Sequence, residues 1–353
     1  MIFKLKRKEY ERVRNLFREV SHQLTVNAVL DGTMEGDVYV DCYERPGSAF
    51  MRAPEGDFIV GNTSNSAFNK SLKEVIAFDA YLQFQNEAWE SELHNIWCNP
   101  YAWKELRYHM ILTPESFRYN SWRNDMPSGY TLYKVDRDFL TMPFACLSEV
   151  AGRVSEWGNI DKFESIAYGF CLVWKDLIVT RCIADNVHEK QTECGIWTHR
   201  DHRGKGLAAI TTAAAVEYCI EAGFSEIGWH CLSNNIGSIK TAKKVGFSIV
   251  KEYEAYGIGL PAESKKDLTK ETWEKYAKIY DQIASESLHP TKGLSYLYAG
   301  AAWALAENTE KAIKYLYLMK ETGWKDDYKF IKDDWPFWSL HKTQEWKNFV
   351  KSL

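Results

Sequence analysis

The stretch Glu193–Phe224, ECGIWTHRDHRGKGLAAITTAAAVEYCIEAGF, passes from strand-like residues through a basic turn into an alanine-rich helix. A plain connector needs one glycine and a capping residue, whereas Arg203-Gly204-Lys205-Gly206 brackets a lysine with two glycines. Where such a turn enters a helix, the first N–H groups have no intrahelical acceptor. The helix dipole adds about half a positive charge there, ~0.3–1 kcal/mol for an anion. Arg203 and Lys205 add whole charges, and the two glycines let a ligand reach the backbone without meeting a Cβ. The turn therefore suits a phosphate or pyrophosphate. It is not a Walker A loop, since G-x-x-x-x-G-K-[ST] is absent, nor a Rossmann fingerprint, since G-x-G-x-x-G is absent.

The neighbouring elements have a clear order. Upstream, YTLYKV reads as a strand and ACLSEVAGRVSEWG as a helix. Gly169–Trp174, Leu177–Ala184 and Thr192–Thr198, joined by polar turns, read as an antiparallel meander. Leu207–Ala222 follows as a helix closed by Gly223, whose missing Cβ suits a left-handed cap. SEIGWHC is a further strand, SIKTAKKVGF a short helix and SIVKEYEAYGI a last strand. Antiparallel strands followed by a β-α-β crossover predict an α+β fold with a mixed sheet flanked by helices.

The flanks read differently. The first lobe, 1–125, predicts a basic helix near Glu9–Val20 and strands at DVYVDC and DFIVGN. Phe68, Leu72, Val75 and Ile76 have the spacing of an amphipathic helix, and NEAWESELHNIW and YAWKELRYHM also read as helical. Arg123–Tyr130 marks a boundary, placing a second domain at 126–258 and a helical segment at 262–353. In that segment a helix starts at a Thr269 cap and ends before His289-Pro290, and a helical hairpin breaks at Asn308.

Composition narrows the function. The 353 residues are 45% hydrophobic and 14% aromatic, as in a globular protein with sizeable cores. Lysine and arginine (44) nearly balance aspartate and glutamate (48), which gives no footprint for nucleic acid or an anionic membrane. The charged N-terminus lacks the apolar core of a signal peptide, and no apolar run is long enough to span a membrane. Eight scattered cysteines without a C-x-x-C pair read as reduced, and the chain as cytoplasmic.

RGKGLA fits R-x-x-G-x-A through Arg203, Gly206 and Ala208, and NNIGSIKTAKKVGF carries Asn235, Ser238, Gly246 and Phe247 in the register of a second motif. Together with the element order, these residues resemble the GNAT superfamily of N-acetyltransferases, and in particular a bacterial branch that includes zwittermicin-inactivating enzymes. The likeness is good over about 126–258 and looser before it. It implies acetyl-CoA as acetyl donor and a small-molecule amine as acceptor. The diphosphate would lie on the amides of Arg203, Gly204, Lys205, Gly206, Leu207 and Ala208. The pantetheine arm would pair with Ile196, Trp197 and Thr198 as an added strand, and Asn235 and Ser238 would lie near the thioester. Some relatives are built from two halves; the first lobe, which lacks the R-x-x-G-x-A turn, is a candidate degenerate half.

Transfer to an amine needs a proton acceptor. Glu193 stands near where many members of the superfamily carry a base, and an exposed strand-edge glutamate is the plain alternative. His230 is the second candidate, with a hydrogen-bonded core histidine as its alternative. Many members place a tyrosine acid seven residues after the motif asparagine, and here that position is Ala242. Tyr253, Tyr256 or water could substitute. His199 and His202 lack ligand-spaced partners, so no metal is expected. Gly300, Ala312, Leu316 and Met319 match the packing positions of one tetratricopeptide-type repeat, and one repeat cannot bury its own face. The segment is expected to be a helical cap anchored by Trp335, Trp338 and Trp346, with a protein-interaction surface as its alternative. A non-catalytic acyl-CoA-binding or scaffold protein is the competing reading of the whole chain.

Overall fold

A computed structural model describes residues 1–77, 80–97, 102–257, 259–262, 264–286, 292–323, 331 and 334–353. Cys98 and the expected helix end at His289-Pro290 lie outside the described residues. Two compact units are present: one of Met1–Ile76, Tyr81–Trp97 and Leu106–Ala255, the other of Ala77–Ala80, Cys98–Glu105 and Tyr256–Leu353.

The strands are β1 (Phe3–Lys4), β2 (Asp37–Val40), β3 (Ser48–Ala53), β4 (Gly56–Gly61), β5 (Leu82–Phe84) and β6 (Trp103–Leu112). After them come β7 (Tyr130–Lys134), β8 (Gly169–Trp174), β9 (Leu177–His188), β10 (Gln191–Thr198), β11 (Glu226–Leu232) and β12 (Ser248–Gly257). They form one sheet in the order β1-β2-β3-β4-β5-β12-β6-β11-β10-β9-β8-β7. It is mixed, because β4 pairs β5 and β10 pairs β11 in parallel, while β8, β9 and β10 form the expected antiparallel meander. Strands of the first lobe thus continue the same sheet as the strands around the glycine turn.

Among the described residues, the α-helices of the first unit are α1 (Leu24–Leu30), α2 (Ser66–Leu72), α3 (Glu87–Ser91), α4 (Leu93–Ile96), α5 (Ser148–Ser155), α6 (Ile160–Ile166), α7 (Leu207–Glu221) and α8 (Ile236–Val245). α7 is apolar around most of its circumference and buried, as a helix covered on all sides must be. It ends as the sequence predicts: Gly223 takes a φ of +88°, and Phe224 N–H donates to the Cys219 carbonyl at 2.9 Å. That is the Schellman closure, in which an αL residue allows the chain to turn back.

Three expectations fail locally. Glu9–Val20 forms two 3₁₀ segments, Arg7–Val13 and Leu16–Val20, not an α-helix. Its buried residues Tyr10, Val13, Phe17 and Val20 recur largely in steps of three, which suits three residues per turn. The amphipathic helix at Phe68 stops at Leu72, short of Val75 and Ile76. YAWKELRYHM is largely the strand β6, whose Met110 and Leu112 alternate into the core.

The second unit contains α9 (Lys270–Glu286), α10 (Lys292–Leu305), α11 (Thr309–Glu321) and α12 (Gln344–Ser352). Its core includes Trp273, Tyr280, Leu316 and Phe337. Gly300 lets α10 approach α11, since a Cβ there would stand 3.2 Å from the Ala312 carbonyl oxygen. Trp346 stacks on Phe337 and His341 within this unit.

Candidate active site

The site begins where two parallel strands separate. β10 pairs β11 only through Gln191↔Glu226, Thr192↔Ile227 and Glu193↔Gly228. A register slip between Glu193 and Cys194 marks the parting point. Beyond it β10 stays with β9 as far as Thr198, and β11 stays with β6 as far as Leu232. Between them opens a wedge, along which the β11-facing edge of Gly195–Thr198 is unpaired with β11.

The glycine turn lies past the end of β10. Gly204 and Gly206 have φ of +74° and +78°, a left-handed backbone that side chains disfavour. Space above both is open: a Cβ at Gly204 would meet nothing within 4 Å, and one at Gly206 only the Lys244 ammonium at 4.0 Å. Gly206 caps α7, whose first bond runs from Ile210 N–H to the Gly206 carbonyl at 3.3 Å. The amides of Leu207 and Ala208 therefore have no intrahelical acceptor. Arg203 Nε donates to the Thr198 carbonyl at 3.1 Å, and Lys205 Nζ donates to the Asp201 carbonyl at 2.9 Å. Both cations are drawn back over the loop, and Lys244 from α8 is a third that the sequence reading missed.

At the apex of the wedge Glu193 is buried, 7% exposed, which overturns the alternative of an exposed edge residue. Its Oε1 accepts from Leu24 N–H at 3.0 Å and from His230 Nε2 at 3.1 Å, and its Oε2 accepts from Asn186 Nδ2 at 3.0 Å. Burial alone would push this carboxyl up. The paired His230 and the Leu24 amide outweigh burial and hold it below the usual carboxylate range. Gly228 makes the room, because a Cβ there would lie 2.8 Å from Glu193 Cγ.

His230 extends the network. A carboxylate only accepts, so His230 Nε2 donates to Glu193, and the other ring nitrogen, Nδ1, lies 2.9 Å from the Tyr253 hydroxyl. Tyr253 in turn accepts from Arg107 Nε at 3.2 Å. The His109 ring, in register with His230 across β6 and β11, stacks on it at 4.4 Å and 3°. Burial first, then the nearby His230, pushes His109 down to about 4, leaving it neutral at physiological pH. His109, Glu193 and His230 bring ligand-type atoms within 4.8 Å of one another. His230 Nε2 and Glu193 Oε1 are hydrogen-bonded to each other.

A cavity of about 310 Å³ opens on this cluster. Glu193 and His109 line it, with residues of β10, β11, β12 and the segment around the start of α1; His230 is bonded to Glu193.

Residues 14–256, more than half of the chain, match the family model described as GNAT acetyltransferase. The chain belongs to the GNAT acetyltransferase family. It is 27% identical over 262 residues to the uncharacterised N-acetyltransferase YdfB of Bacillus subtilis (strain 168), across 72% of this chain and 98% of that protein. The fold is similar to that of a GCN5-related N-acetyltransferase-like protein from Streptococcus suis 89/1591. There the TM-score is 0.58 at 22% identity, over 71% of this chain and 98% of that one.

Within this GNAT chain the remaining sequence candidates take the following places. Asn235 caps α8 by accepting from Ser238 N–H at 2.9 Å, and Ser238 Oγ accepts from Trp229 Nε1 at 2.9 Å. Ile196, Trp197 and Thr198 lie on the open edge of β10. Ala242, at the usual acid position, is fully buried, and Tyr253 reaches the Glu193 cluster through His230. Tyr256 belongs to the second unit. His202 accepts or donates at 2.9 Å with the Tyr130 hydroxyl and packs on Trp174. Sequence reasoning missed His109 because its strand was read as a helix. The alternation Tyr108, Met110, Leu112 was the available signal.

Proposed function

We propose that this protein transfers acetyl from acetyl-CoA to the amine of a small-molecule acceptor by direct attack on the thioester. The observation that carries this reading is the parting of β10 and β11 at Glu193. It puts an ionised, buried carboxylate at the apex of a wedge whose open strand edge leads to the glycine turn. The pantetheine amides pair along Ile196–Thr198, and the diphosphate takes the amides of Arg203–Ala208, with Lys244 close by.

The acceptor enters the cavity on the Glu193 side. Its nitrogen attacks the carbonyl carbon, an N–C bond forms and the C–S bond breaks. A β10 amide on the open edge stabilises the developing oxyanion. Glu193 accepts the amine proton, directly or through water, and His230 orients it. With Ala242 in the acid position, the departing thiolate takes its proton from solvent. The 126–258 region carries this chemistry, the first lobe supplies acceptor-side walls, and the tetratricopeptide-like segment is a helical unit with its own core. On this reading the protein lies in the cytoplasm with its cysteines reduced.

Calorimetric titration with acetyl-CoA, together with thiol release against a panel of small amines, tests the reading. Binding with amine-dependent release supports it, and Gly206→Glu should abolish binding by meeting the diphosphate with bulk and charge. Ala242 favours a second reading, a non-catalytic acyl-CoA-binding protein that recruits a partner through its helices. Tight binding without release on any amine would establish that instead.

A further inference from the structure

The cavity beside Glu193 is not uniformly acidic. β10 and β11 contribute Glu193 and Glu226 to its lining, while β12 contributes Lys251. In the sheet β12 is separated from β10 by β6 and β11, so at ~4.8 Å per strand the two backbones run about 14 Å apart. Cation and carboxylates therefore occupy opposite ends of one chamber.

Lys251 Nζ donates to His22 Nδ1 at 3.0 Å. Among the described residues no carboxylate comes within 4.0 Å of it. His22 is itself pushed down to about 3, by burial first and then by Lys251, so it takes a hydrogen bond but offers no counter-charge. Lys251 is exposed to the chamber, its one hydrogen bond goes to a neutral ring, and Glu19 acts on it only through space, so its charge is open to an anion that enters. The carboxylates at the other end are partly spoken for. Glu193 already accepts three hydrogen bonds, and Glu226 accepts from Gln191 Nε2 at 2.9 Å. A chamber built for a polycation would not put a cation on its wall.

We infer that Lys251, with His22, forms an anion subsite, and that the acceptor is a small amine that also carries a carboxylate or phosphate. The amine end lies at Glu193 and the anionic end at Lys251. This rests on the transfer reading above and names its substrate class.

The test is thiol release at saturating acetyl-CoA with matched pairs: an amino acid against its amide, and an amino sugar phosphate against the free amino sugar. The charged member of at least one pair should be favoured in kcat/KM by about tenfold or more, as for a hydrogen-bonded charge. Which pair shows the preference identifies carboxylate or phosphate. Lys251→Met should collapse that ratio through a higher KM for the anionic member, and Lys251→Arg should restore most of it. Lys251→Gln serves if the methionine variant does not fold. Neutral members turned over as well as charged ones, or a preference that survives in Lys251→Met, would overturn the subsite and leave the transfer reading standing. A parent protein that releases thiol with no amine would overturn both.

Discussion

Glu193 and His230 enter the sequence reading as competing bases, and the fold makes them partners 3.1 Å apart. The pairing divides the work: a carboxylate held by three donors is ionised and fixed, and the imidazole behind it sets its orientation. Glu193→Gln keeps the size and replaces an acceptor with a group that must also donate. Thiol release should fall about 100-fold or more, as for loss of a general base, while calorimetry still detects acetyl-CoA. An unchanged rate would remove Glu193 from the chemistry. His109 supplies a second expectation, in stability. Its folded pKa of about 4 lies below the ordinary histidine value, so the unfolded chain binds more protons between about pH 4 and 6.5. Stability therefore rises with pH across that window, by on the order of 3 kcal/mol for this ring at ~1.4 kcal/mol per pH unit. Urea melts at pH 4.5 and 7 should show a markedly smaller difference in His109→Phe than in the parent.

Among elements, the glycine turn, α7 and the β8–β10 meander were legible because local rules write them directly: polar two-residue turns, period-two strands and a glycine after an apolar helix. β6 was not. KELRYHMIL has one β-branched residue, and Trp103, Leu106 and Met110 also fit helical spacing, so only pairing with β11 decides it. Since β6 carries His109 and Ile111, part of the cavity wall was invisible with it. The N-terminal 3₁₀ segments were missed for a related reason: a basic, apolar-striped run does not state its hydrogen-bond period. The wedge itself follows from where the β10–β11 ladder stops, a tertiary event that leaves Gly228 as its one local mark. Gly228→Ala tests that mark. The added Cβ, 2.8 Å from Glu193 Cγ, must push the carboxylate aside. Overpacking of this kind should cost about 1–3 kcal/mol in a denaturant melt, with a loss of thiol release larger than that destabilisation explains. Full activity would mean that Glu193 can move freely, contrary to its three hydrogen bonds.

For the molecule as a whole, the net charge of −4 opposes an anionic donor at long range. Attraction must then come from the few cations beside the turn, Arg203, Lys205 and Lys244, over distances comparable with the Debye length of about 8 Å at physiological salt. Two of them are anchored to loop carbonyls, and Lys244 Nζ donates to the Tyr119 hydroxyl at 3.0 Å, so all three are pre-positioned. Acetyl-CoA affinity should consequently weaken several-fold as KCl rises from about 50 to 500 mM. Lys244→Gln should lower affinity at the lower salt and flatten the salt dependence, because one of the charges being screened is gone. Lys134, which sits over Tyr218, offers the comparison: removing its charge changes the net charge equally, away from the turn. If Lys134→Gln and Lys244→Gln shift the titration alike, the whole-molecule field governs donor binding; if only Lys244→Gln does, the turn governs it.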